Sequence, residues 1–327
     1  LLQLFKSNHF LNTLLLLPIA LTLHASIFIY GQEVEATDSG ILGFYLLNDF
    51  TPSPFWHWIL AGGVVFFQAV FINRLSIIHR LNNEVNILPG LLWILWTALH
   101  PGLMGLQANS LALLFILPGM SQLMKCYKNR RSAIYLFNAG FFFSLSSLIF
   151  FPVSWLALFG FLAMLTMGSV RFPEPQQFLG GLITPYVLAF FSVYFFENAQ
   201  EFVLLQWEQQ EIFGVFEDWD LVRNEYISGS IFVLFSLIAL VNLQFYQAKK
   251  EIFAQRKVSL LFVYFLFGCL GTLFVSVFDL HYLLIILWPL SILLTDNLYH
   301  MKNPLAAELF LWLLIAYSFF MQYQPLF

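Results

Sequence analysis

Runs of apolar residues separated by short polar stretches recur along the whole chain. A helix needs about 20 such residues to cross the hydrocarbon core of a bilayer. Eleven segments are candidates: 11–30, 56–73, 87–100, 106–124, 134–150, 152–170, 177–196, 227–246, 258–278, 281–298 and 305–322. The pattern predicts an all-α, polytopic membrane protein, with residues 1–327 forming one integral membrane domain of about eleven transmembrane helices. Segment 87–100 is short. At about 1.5 Å per residue it reaches only ~21 Å, so it either spans or forms a re-entrant hairpin with 106–124, leaving nine to eleven spans. The run 11–30 reads as a retained first helix, because its charged flank is only Lys6 and it reaches spanning length.

Composition excludes the alternatives. The 327 residues are 60% apolar and 10% charged, with 40 Phe, against about 25% charged in soluble domains. The mean hydropathy is +0.79. A soluble enzyme, a disordered chain and a nucleic-acid binder are ruled out. So is an outer-membrane barrel, whose strands alternate polar and apolar residues. Cys126 lies in a basic loop and Cys269 in an apolar run, which argues against a disulfide framework.

Basic residues set orientation. With the N-terminus cytoplasmic and the spans alternating, 13 of the 14 Lys and Arg fall inside, and only Arg223 falls outside. The expectation is a cytoplasmic N-terminus, an external C-terminus and a multi-pass protein of the inner membrane. Two external segments then stand out. Segment 31–55 carries Glu33, Glu35, Asp38 and a short apolar stretch before Asn48-Asp49. Segment 197–226 mixes Phe202, Phe213, Phe216 and Trp219 with eight acids. Both read as interfacial amphipathic segments, and the second suits contact with a membrane or periplasmic protein partner. On the inner side, 74–86 reads as a short basic surface helix.

Candidate chemistry is sparse. Asp49 stands where the first external loop meets the membrane, so it is a candidate general base or metal ligand, with Asp38 and Glu35 beside it in sequence. The loop residues Lys125, Lys128, Arg130 and Arg131 are candidates for contact with a phosphate or an anionic headgroup. The seven histidines include no pair at i and i+3 or i+4, the spacing a helical metal site requires. Four of them, His24, His57, His100 and His281, fall on the external side and would have to converge in space. No cofactor or metal is implied. Pro-Gly pairs at 89–90, 101–102 and 118–119 mark breaks in the first half only, without the internal repeat of many transporters.

Short motifs carry a resemblance. Asn73-Arg74, Leu88-Pro89, Asn138-Ala139-Gly140, Phe151-Pro152, Arg171-Phe172, Gly180-Gly181 and Thr184-Pro185-Tyr186 together resemble an uncharacterised family of Bacteroidetes-type integral membrane proteins. That likeness implies a multi-pass helical fold and no established activity. More loosely, the layout is similar to membrane glycosyltransferases that use polyprenyl-phosphate sugars. That likeness implies an acid in the first external loop, here Asp49 or Asp38 by position, and a polyprenyl-linked glycan as ligand. The paired-acid motif of those enzymes is absent. Three functions follow as expectations: a non-catalytic subunit or scaffold of a cell-envelope assembly, a lipid-linked sugar transferase or polymerase, and a transporter or lipid flippase.

Overall fold

The computed structural model describes residues 2–31, 34, 39–127, 129, 132–168, 173–196, 199–203, 206–207, 223–241, 250, 252–271, 282–301 and 303–323. The described chain is helical. Its principal helices are α1 (Phe10–Tyr30), α2 (Ile41–Leu47), α3 (Pro54–His79), α4 (Leu88–Thr97), α5 (Ala108–Lys125) and α6 (Ser132–Ile149). They continue with α7 (Phe151–Thr166), α8 (Pro173–Phe196), α9 (Arg223–Val241), α10 (Ile252–Gly271), α11 (Leu283–Tyr299) and α12 (Pro304–Tyr323).

Among the described residues, six helices are long and apolar enough to cross a membrane: α1, α3, α6, α8, α10 and α12. This makes the protein a multi-pass helical membrane protein. The expected count of eleven full spans is not supported. Each expected segment does contain a helix, but α4, α7, α11 and the apolar part of α9 are short. Burial explains two of them. All ten residues of α4 are buried, and so is α11 from Leu284 to Asp296. A helix that is apolar all round and enclosed by protein is a core helix and needs no bilayer-matched length. The longer α8 and α12 instead leave Leu188, Phe191, Phe195, Leu305, Leu309 and Trp312 exposed, as lipid-facing helices would.

A second correction concerns 74–86. Helix α3 does not stop at Asn73 but continues to His79, and Leu81 is fully buried. Polar residues continue the helix because each has a place in the packing. The Asn73 Oδ1 accepts from Gly90 N at 2.7 Å, and His79 Nε2 lies 3.1 Å from Ser121 Oγ. Arg74 faces outward.

Cross-contacts settle the path of 87–124. Gly90 is level with Asn73, and Trp93 Nε1 donates to Gln68 Oε1 at 3.1 Å. Leu106 N donates to His57 Nε2 at 2.9 Å. The ascending segment thus follows α3 from Asn73 back to His57, about 24 Å of helix at ~1.5 Å per residue. Helix α5 then returns beside α3, with Gln68 Nε2 donating to Ser110 O at 2.7 Å before the His79–Ser121 contact. The pair runs the depth of the bundle rather than turning back midway. Its first limb is a helix for ten residues and irregular thereafter. Irregular backbone at such depth is tolerated where protein satisfies it. Here Gln322 Nε2 donates to Ala98 O at 3.2 Å, His100 Nδ1 accepts from Gly102 N at 3.1 Å, and Gln107 and Ser110 close a capping box on α5.

The tightest packing joins α6 to α5 and α8. Gly140 and Gly181 make the α6–α8 approach possible, since a methyl group at either would strike a carbonyl, that of Phe178 or of Phe137 respectively. Small residues at such crossings let backbones meet closely. Helix α2 rests Ile41, Gly43 and Leu47 inward, and Gly40 N donates to Ile149 O at 2.9 Å. Tyr45 and Leu46 remain exposed.

Candidate functional site

Among the described residues, Lys6, Arg80, Lys250 and Lys257, which the sequence assigns to the inner side, lie near one end of the bundle with Asp296. Lys250 Nζ lies 3.2 Å from Asp296 Oδ2, with side chains only 3% and 5% exposed. The pair is a close ionic contact out of hydrogen-bond alignment, while Asp296 Oδ1 accepts from Asn83 N at 3.1 Å. Lys250 also donates to Leu81 O. Burial pulls the Lys250 ammonium down to about 8, and the Asp296 carboxylate opposes that pull. Lys257 Nζ lies 3.2 Å from His79 Nδ1 and 3.9 Å from the centre of the Phe253 ring. Lys6 Nζ stands 4.6 Å over the Tyr299 ring.

Between these groups lies a cleft of about 340 Å³, walled by His79, Arg80, Asn82, Asn83, Lys250 and Phe253 among others. Helix α3 delivers His79 and Arg80, the segment before α10 delivers Lys250, and α10 delivers Phe253. The described walls carry two cations, an imidazole and two amides, with no carboxylate. Every one of these polar groups can donate a hydrogen bond, so the arrangement suits an anion.

Comparison with known protein families, with curated proteins and with solved structures finds no match to this chain. The fold and its cleft therefore stand on their own geometry.

The sequence-nominated residues are placed as follows. Asp49 is exposed in the turn after α2, and its Oδ1 accepts from Asn48 Nδ2 at 3.2 Å. Asp38 and Glu35 lie outside the described residues, as do Lys128, Arg130 and Arg131. Lys125 ends α5, with its ammonium 5.8 Å from the Tyr135 ring centre. Most of 197–226 is also outside the described residues. Of what is described there, Gln206 reaches back to accept from Ile41 N at 2.9 Å. His24 and His100 bond to backbone groups of their own neighbourhoods, while His57 accepts from the backbone of Leu106 on the crossing segment. Among the described residues no three His, Cys, Asp or Glu side chains form a group able to hold a metal ion. Neither Cys126 nor Cys269 is in a disulfide; burial, with the Glu174 charge, pushes the Cys126 thiol up to about 12.

Sequence reasoning missed His79, Arg80, Lys250 and Lys257 as a group and took Asp296 only as a span terminus. One signal was present. Asp296 is an acid on a side otherwise dominated by Lys and Arg, where a buried carboxylate has a ready partner.

Proposed function

We propose that this protein is a non-catalytic subunit or scaffold of a cell-envelope assembly, a multi-pass protein of the inner membrane with a cytoplasmic N-terminus and an external C-terminus. The observation that carries the reading is the use of its interior polar side chains. Asn73, Gln68, His57 and His79 each tie one helix or crossing segment to another, and Asp296 ties Lys250 to Asn83. These groups build a rigid platform. Native purification in mild detergent tests it: a stoichiometric protein partner is expected, and an active, monodisperse lone chain of 37.9 kDa would contradict it.

A transport or lipid-moving role is the second reading, favoured by the interrupted crossing 88–107. Buried polar atoms around it, His24 Nε2, Gln107 Oε1 and Gln322 Oε1, find no protein hydrogen-bond partner. The transferase reading rests on Asp49 as the reacting carboxylate and on a polyprenyl-linked glycan. It requires Asp49→Asn to abolish a glycan product while the protein still inserts. The likeness to the uncharacterised Bacteroidetes-type family supports the fold class and adds no activity.

A further inference from the structure

The exposed residues of α3 fall on one stripe. From Trp56 to Ile78 they are Trp56, Leu60, Phe67, Arg74 and Ile78, spaced four or seven residues apart, so all share a face. The stretch 56–74 measures about 27 Å of helix at ~1.5 Å per residue. That is close to the ~30 Å hydrocarbon core of a bilayer. Tryptophan at one border and arginine at the other mark the two headgroup levels of a lipid-facing helix.

Helix α10 carries a matching stripe. Ile252, Arg256, Leu266 and Leu270 are exposed along it, and Arg256 is the one charged residue among them. The two helices are neighbours at this end. Lys257 Nζ lies 3.2 Å from His79 Nδ1, and Ile78 and Phe253 line the same cleft. Just beyond Ile78, Arg80 closes α3 at φ 52°, in the left-handed region. Arg74 is one turn from Ile78 and Arg256 one turn from Ile252, each about 6 Å further from the charged end. The two arginines therefore stand at one level on adjacent helices.

Neither arginine makes a hydrogen bond or ion pair with another described residue. An arginine on a lipid-facing stripe keeps its stem in the apolar layer and turns its head toward water. A planar guanidinium there takes phosphate oxygens in a fork. Ile78, Ile252 and Phe253 around them are exposed and apolar. Phe67 continues the stripe toward the bilayer centre and is 66% exposed. Paired cations below an open apolar track complement a phosphodiester with acyl chains attached, which a free anion would leave half unused.

We propose that Arg74 and Arg256 hold an anionic phospholipid, its phosphodiester at the two guanidiniums and its acyl chains along the stripes of α3 and α10. This site rests on the protein spanning a membrane and is independent of the subunit reading.

The full chain in detergent is titrated with phosphatidylglycerol or phosphatidylcholine of equal chain length, and native mass spectrometry gives a Kd for the first lipid bound. Each arginine near an anionic headgroup contributes roughly five-fold, so wild type should favour phosphatidylglycerol by about thirty-fold. Arg74→Gln or Arg256→Gln should cut that preference to about five-fold, and the double variant should lose it. Both positions are exposed, so the variants should keep the wild-type thermal midpoint in phosphatidylcholine. The proposal is overturned if wild type shows no preference, or if the double variant keeps it, which would place the lipid at other cations. It is also overturned if the double variant keeps its lipid but loses a stoichiometric protein, which would make the two arginines a protein contact.

Discussion

The two ends of α3 are held by different chemistry. At the Pro54 end the contacts are neutral: His57 accepts from Leu106 N, and Trp58 Nε1 donates to Leu21 O at 2.8 Å. At the His79 end charge takes part: the Lys257 ammonium lies against the His79 imidazole, and Lys250 forms an ion pair with Asp296. Both ends anchor irregular backbone, 98–107 in one case and 80–87 in the other. The named contacts at the neutral end include no ion pair for salt to screen, whereas the charged end holds one.

The sharpest way to break this comparison is Asp296→Asn. It strands the Lys250 ammonium in a buried site, and removing one partner of a buried pair destabilises by about 3–5 kcal/mol. A denaturation midpoint in detergent should fall accordingly; a change below about 1 kcal/mol would mean the pair is solvated. At the neutral end, His57→Ala leaves Leu106 N–H without its acceptor and should lower stability by about 1–3 kcal/mol, with no dependence on ionic strength. A smaller effect comes from pH. An unfolded lysine keeps its proton to about 10.5, while Lys250 in the fold releases it near 8. Between those values the unfolded state binds more protons, so stability should rise as pH climbs through that window. A thermal midpoint that falls there would contradict the burial of Lys250. The smallest effect has the opposite sign from a loss. Arg80→Gly should stabilise the turn by up to about 1 kcal/mol by relieving the left-handed strain, measurable as a raised midpoint.

Much of this fold was legible in the sequence. The apolar runs mark each helix, and the basic residues foretell which ends gather together. Two features were hidden for physical reasons. Hydropathy ends α3 at Asn73 because Arg74, Ser76 and His79 are polar, yet Asn73 and His79 find their partners on α4 and α5. Those partners lie 17 and 42 residues away. Likewise α4 and α11 are apolar enough for a span, but enclosure by other helices is not written in their own composition. The candidate site was legible only in sign. Lys250 and Asp296 are visibly opposite charges near one side, while the cleft that joins Lys250 to Arg80 depends on how 80–87 folds back over α10.

The most direct test of the two-ended account is side-specific labelling. In a background lacking Cys126 and Cys269, Asp49→Cys and Arg80→Cys are exposed separately to a membrane-impermeant maleimide in intact cells. The account predicts that Asp49→Cys reacts at once and that Arg80→Cys reacts only after the cells are permeabilised. Labelling of Arg80→Cys in intact cells, or of both positions from the same side, would contradict it.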